Sequence, residues 1–188
     1  MKVTILARLN NDHKNIVSLL NILEVKYEKL EIGETVNYSL IRDIVEYMKT
    51  YAENSHDPLE DIIDSYYTAT YPAEDNCKEL AREHQKLIDL TSSLMMNLNL
   101  ILSDTVVSRE SLAMDLKLYV AEQKRHMLYE NSTVFPIWSK MTEMDWQYIK
   151  KLCLFNLTDD PLFNGIDNHL FEELREYIIE TKNELTAA

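Results

Sequence analysis

Apolar residues recur at helical spacing along most of the chain. From Asp12 to about Leu30 the positions His13, Ile16, Val17, Leu20, Leu23, Tyr27 and Leu30 form one face, with Lys14, Asn21, Glu24 and Glu28 elsewhere on the wheel. The glycine-bearing EIGETVN breaks this helix, and a second follows through Ile41, Val45, Met48 and Ala52. Within SHDPLED, Pro58 cannot donate to the carbonyl four residues back, which predicts a kink or a fresh helix start before the stripe resumes at Glu60, Ile63 and Tyr67. After TATYPAEDN a third helix is predicted from about Asp75 to Leu102, on Leu80, His84, Leu87, Thr91, Leu94, Leu98 and Ile101. Beyond SDTVVS, a fourth carries Leu112, Leu116, Tyr119, Gln123, His126, Glu130, Val134 and Ile137 inward, in steps of three and four that suit near-parallel packing. Thr142 and Asp145 read as the cap of a fifth helix through Leu154, and a last amphipathic helix is predicted from Asp167 to Leu185. The reading is all-α: an antiparallel, up-down-up-down four-helix bundle over residues 1–140, with additional C-terminal helices over 141–188 packing on it as one domain.

Composition agrees, since 188 residues suit a single domain and include only two glycines and four prolines. The net charge of −13 argues against nucleic acid and anionic membrane surfaces, which need clustered Lys and Arg. Cys77 and Cys153 are far apart and form no Cys-x-x-Cys unit, so they read as reduced thiols and not as a disulfide or a zinc-thiolate site. VTILA is too short for a secretion signal, and no apolar run reaches the ~20 residues of a membrane span. The expected location is the cytoplasm.

One chemical pattern occurs twice. His13 is followed by His56 and Glu60, and His84 by His126 and Glu130; the histidine intervals are 43 and 42 residues, and each glutamate lies four residues after its histidine. That offset stacks the pair on one helix face, and imidazole with carboxylate suits iron, manganese or zinc. A lone histidine on an apolar face is more often a hydrogen-bonded core residue, but four on inward stripes would each need a partner that a shared metal supplies at once. Glu60 has a rival explanation, because Asp57 and Pro58 make Asp57-x-x-Glu60 resemble a helix-start capping box. Glu130 has none: it lies mid-helix on the apolar line, where a carboxylate demands a cation. Both glutamates read as bridges between two metal ions. A ferritin-like site fits Glu53-Asn-Ser-His56 but fails at Gln123 before His126, and at His13 and His84 where that arrangement needs glutamates.

The stretches DHKNIVSLL, SHDPLEDII, REHQKL and RHMLYENSTVFP, followed by DPLF, resemble the hemerythrin family in its bacterial histidine-histidine-glutamate cation-binding branch. The resemblance covers nearly the whole chain. It implies two iron ions, oxo- or hydroxo-bridged, with His13, His56, His84 and His126 as terminal ligands and Glu60 and Glu130 bridging. Oxygen-carrying members have a further histidine one turn from His84, where this chain has Leu80 and Ile88, and His56-Asp57 stands where the family has paired histidines. Asp57 is expected to cap a helix, the alternative being direct contact with the metal. Four histidines with two glutamates instead resemble iron-centre repair proteins of nitrosative stress, which usually carry an N-terminal cysteine-bearing domain not found in these residues.

The expected partner is accordingly a small diatomic ligand (O2 or NO) or peroxide, in oxygen, nitrosative or oxidative stress response or in iron donation. Alternatives are a non-redox metal-binding or regulatory module that engages a protein through its C-terminal helices, an oxidase or peroxidase with an organic substrate, and a reversible oxygen carrier. His169 is expected outside the site, Tyr67 and Tyr119 as packing, Met95, Met96, Met114 and Met127 as core filler, and Glu83 facing solvent or paired with Lys86 or Lys78.

Overall fold

A computed structural model describes residues 2–72, 80–153, 159–164 and 171–187, with the side chains of 2–4 and 181–187 excepted. Helix α1 (Lys2–Glu31) opens the chain. The second rod comprises α2 (Tyr38–Tyr47), a π-helical stretch (Met48–His56) and α3 (Asp57–Thr70). The third is α4 (Leu80–Leu102), and the fourth is α5 (Arg109–Tyr129), a π-helical stretch (Glu130–Val134) and α6 (Phe135–Trp138). Two further helices follow, α7 (Glu143–Leu152) and α8 (Glu172–Ala187). No strand occurs among the described residues, and no helix among them is long and apolar enough to cross a membrane.

The rods alternate in direction. His13 and His84 lie toward the starts of the first and third, His56 and His126 late in the second and fourth, and all four meet in one layer. The two hairpins turn in the same way. Gly33 at φ 84° and Asp104 at φ 58° each follow a helix end, with Glu34 N–H bonding Lys29 O and Thr105 N–H bonding Leu100 O, so both helices finish in a left-handed C-cap. Four residues later Asn37 and Ser108 accept from the backbone N–H of Leu40 and Ser111 and start the next helix. Glycine meets the positive φ at one turn; at the other aspartate, among the residues most tolerant of that region, does the same.

Two apolar clusters flank the histidine layer. Toward the hairpin turns lie Leu20, Leu23, Ile41, Ile44, Leu98 and Leu116, joined by Leu162, Phe171 and Leu174 from the C-terminal part. On the other side lie Leu9, Leu59, Ile63, Leu80, Trp138, Trp146 and Ile149. Helix α7 carries the expected capping box between Thr142 and Asp145, and Tyr66 and Tyr71, at the end of α3, donate to the Asp145 carboxylate at 2.6 and 2.7 Å. Asp160, buried in DPLF, accepts from Tyr47 Oη at 3.0 Å and from the backbone of Leu162 and Phe163, which fastens that segment to the second rod.

Several expectations change. The helix does not restart at Pro58: the turn before it widens, Asp57 N–H reaching Ala52 O five residues back, and the rod runs on through the proline. No side chain caps α3, so the proposed capping box is absent and neither Asp57 nor Glu60 serves one. The same widening precedes Pro136, where Phe135 N–H reaches Glu130 O. Met95 and Met127 are core residues, but Met96 and Met114 are 60% and 70% exposed on outer faces, and Val17 turns partly outward. Cys153 is a buried free thiol, its pKa pushed up to about 11 by burial, whereas Cys77 and His169 fall outside the described residues.

Candidate metal centre

Each rod presents its site residues from the apolar face that drives bundle formation. His13 is one helical turn from Leu9 and Ile16, and His84 is one turn from Leu80 and Leu87. The i,i+4 pairs place Glu60 over His56 and Glu130 over His126. All six sequence-selected residues are brought together and buried, with Glu60 and Glu130 at 0% exposure. They form two overlapping groups, His13, His56, Glu60 and Glu130 on one side and His84, His126, Glu60 and Glu130 on the other, each with its ligand atoms within 4.8 Å of one another. Both carboxylates belong to both groups. His126 Nε2 lies 3.0 Å from Glu130 Oε1, His13 Nε2 3.3 Å from Glu130 Oε2, and His56 and His84 Nε2 each 3.4 Å from Glu60.

The opposite edge of every ring is occupied. His13 Nδ1 meets Asn131 Oδ1 at 3.0 Å, His56 Nδ1 meets Asp12 Oδ2 at 3.2 Å, His84 Nδ1 meets Asp61 Oδ1 at 2.9 Å, and His126 Nδ1 meets Glu83 Oε2 at 2.9 Å. Since each Nδ1 faces an oxygen acceptor, it carries the proton, and the neutral ring then turns a bare lone pair inward on Nε2. The centre thus gathers four imidazole lone pairs and four carboxylate oxygens, and the Glu60 and Glu130 oxygens find no hydrogen-bond partner. His13 and His56 Nε2 face each other at 3.1 Å. So many buried acceptors without a donor are tolerable only if positive charge sits among them.

The titration behaviour of the metal-free centre fits this. Burial works against a charge on His56, His84 and His126, yet the carboxylates around them raise all three above the ordinary histidine range. Burial opposes the charge on Glu130 too, but the imidazoles of His126, His13 and His84 hold it well below the usual carboxylate range. Protons occupy the positions that cations would take. The donor set therefore fits two metal ions, one per group, with nitrogen and carboxylate donors suited to iron, manganese or zinc.

Beside the centre lies a cavity of about 10 Å³, lined in part by His56, Asp57, His126 and Glu130 and by Glu53, Thr91 and Gln123. It is near the lower limit for one water. Burial lifts Glu53 to about 7 and Asp57 to about 6, and Glu53 Oε1 has no hydrogen-bond partner. Tyr119 is buried next to this polar strip and accepts from Gln123 at 3.4 Å, whereas Tyr67 packs in the far apolar cluster. A separate open groove of about 340 Å³ is walled by Asn10, His13, Lys14, Val17 and Asn131.

The four outer partners are what sequence reasoning missed. Glu83 in particular neither points away nor pairs with Lys86; it holds His126 and an exposed Arg125, while Lys86 takes Glu122. A signal existed in chain position: Asp12 and Glu83 immediately precede the single histidines, and Asp61 and Asn131 immediately follow the glutamates. Each partner serves a histidine on another rod, which only the packing reveals.

Residues 4–138 match the family model described as hemerythrin HHE cation binding domain. No curated protein and no solved structure matches the chain.

Proposed function

We propose that this chain, which belongs to the hemerythrin HHE cation-binding family, holds two iron ions and through them binds and reacts with a small ligand such as O2, NO or peroxide, in oxygen, nitrosative or oxidative stress response or in donating iron to damaged iron centres. The observation that supports it best is the buried layer of inward acceptors, in which the oxygens of two fully buried glutamates face only the inner nitrogens of four histidines and no other hydrogen-bonding group. His13 and His56 would hold one ion, His84 and His126 the other, and Glu60 and Glu130 both. When bound, the metal pair would supply redox change and open coordination for a small ligand.

The chain's own residues set the conditions for that chemistry. Asn131, Asp12, Asp61 and Glu83 fix each ring's tautomer and orientation by holding Nδ1–H, so that Nε2 is the donor. The two apolar clusters keep water from the layer on both sides. Glu53 and Asp57, lifted toward neutrality by burial, stand where a proton could be held near a bound ligand. The chemistry of the site is narrower than its purpose, and gas response, peroxide removal and iron delivery would all use this donor set.

Iron quantitation with an optical spectrum of the purified protein tests the reading. About two irons per chain and near-ultraviolet charge-transfer bands are expected. One metal per chain, or zinc at full occupancy after iron-replete expression, would instead favour a non-redox metal-binding module.

A further inference from the structure

The two hairpins are near copies, and the outer partners follow the copy. The residue before each single histidine holds the paired histidine of its own hairpin: Asp12 holds His56 and Glu83 holds His126. The residue after each glutamate holds the single histidine of the other hairpin: Asp61 holds His84 and Asn131 holds His13. Arginines extend the first pair on both sides, Arg8 lying 3.9 Å from Asp12 and Arg125 lying 2.6 Å from Glu83. Arg125 is the closer of the two, but it is half exposed and its charge is screened by solvent, so Glu83 keeps its pull on His126. The second pair is where symmetry fails, because Asp61 is an anion and Asn131 a neutral amide.

A carboxylate accepting from Nδ1–H pushes electron density toward Nε2 and makes the imidazole a stronger donor to a cation; an amide oxygen does this less. The His84 and His126 rings both rest on carboxylates at 2.9 Å. The His56 ring rests on one at 3.2 Å and His13 on the amide. The open groove beside the centre adds to the contrast, since His13 and Asn131 form its walls and Lys14, a cation, shares them. We infer that the two metal positions are unequal and that Asn131 sets the difference: the His84–His126 position fills first and keeps its ion, and the His13–His56 position is the exchangeable one. This rests on the two-ion reading given above.

Two binding steps alone would not prove it, because two cations sharing Glu60 and Glu130 repel each other even in a symmetric site. The decisive experiment identifies the steps. The metal-free full chain is titrated anaerobically with cobalt(II), followed by its visible absorption, alongside His13→Gln, His126→Gln, Asn131→Asp and Asp61→Asn, each checked for folding by circular dichroism. In the unaltered protein the weaker step should vanish in His13→Gln and the tighter one in His126→Gln. Asn131→Asp should strengthen the weaker step about tenfold or more and leave the tighter one in place, and Asp61→Asn should weaken the tighter step by a similar factor. Asn131 is exposed, so its replacement leaves the core intact. The inference is overturned if the tighter step belongs to His13, or if a folded Asn131→Asp takes up two ions with the affinities of the unaltered chain. No cobalt uptake at all would overturn the two-ion reading, and this inference with it.

Discussion

Replacing Glu130 by glutamine probes the centre at the one point where stability and metal binding give separate answers. The carboxylate is fully buried, 3.0 Å from His126, 3.3 Å from His13 and 3.6 Å from His84. Glutamine keeps its volume and is a comparable helix former, so packing and propensity are nearly constant. In the metal-free protein the change leaves Glu60 as the one inward carboxylate of the pair facing the imidazoles, whose outer edges still meet Asp12, Asp61 and Glu83. Breaking a buried ion pair costs about 3–5 kcal/mol, and because an imidazole can shed its proton the lower end applies, about 3 kcal/mol. At about 2–4 °C per kcal/mol for a chain of this size, thermal melting of the metal-free variant should fall by ~6–12 °C. The metal answer comes from the shared role: Glu130 belongs to both donor groups and His13 to one. After iron-replete expression Glu130→Gln should retain well under one iron per chain, while His13→Gln should keep about one. Full iron content in Glu130→Gln, or equal loss in both variants, would refute the bridging assignment.

Four further outcomes are expected. Because the surrounding carboxylates hold His56 and His84 far above the ordinary range and raise His126 as well, loading the metal-free protein with zinc or ferrous iron in weak buffer near pH 7 should release protons; an indicator dye that registers none would contradict this. By the same sign, these raised values stabilise the metal-free fold fully below about pH 6.5 and progressively less as pH rises through them, so urea unfolding of metal-free protein should weaken on the alkaline side. Asp145 is opposed by burial but drawn down to about 2 by Tyr66, Thr142 and Tyr71, so its contribution is complete above about pH 4 and lost as pH falls toward 2; the Tyr66→Phe, Tyr71→Phe pair should flatten that acid limb in equilibrium unfolding, and an unchanged limb would sink the assignment. With Leu80 and Ile88 flanking His84 in place of a further histidine, the reduced iron-loaded protein should oxidise irreversibly in air, or form only a short-lived adduct, while reacting readily with NO or peroxide; many clean cycles of oxygen and vacuum would make it an oxygen carrier.

The long rods were legible because their stripes are driven by burial, and burial is a property of single positions: Leu20, Leu23, Leu98 and Leu116 are all fully covered, as their spacing predicts. The six candidate ligands stood out for a related reason. Polar groups on those stripes contradict the pattern, and the contradiction repeats. What failed was local grammar overridden by packing. Pro58 reads as a helix boundary, yet tertiary contacts on both sides of it hold one rod, and the lost hydrogen bond is absorbed by widening the turn. Glu83 has Lys86 one turn away in sequence, but helix rotation turns it to His126 instead. Val17 and Met96 show the converse, since an apolar residue at the edge of a stripe can face solvent at small cost.

The contrast between hairpins also indicates where such a protein can change its chemistry without losing its fold. The caps at Gly33 and Asp104, the N-caps at Asn37 and Ser108, and the glutamates at the centre repeat faithfully, and each is tied to chain reversal or to a buried layer that any substitution would disturb. Asp61 and Asn131 are tied to neither. The Asp61 side chain is 47% exposed and Asn131 lies on the surface, yet each reaches a histidine whose inner edge faces Glu60 and Glu130. A substitution there alters the donor strength of a buried imidazole through one hydrogen bond while leaving the core packing untouched. Core positions are constrained by volume and the six inner residues by charge; these outer residues are constrained only by reach, since they must end in an oxygen about 3 Å from Nδ1. Exchange of carboxylate for amide meets that constraint, as Asn131 does, and so the same bundle could hold the two proposed metal positions equally or unequally at little cost in stability.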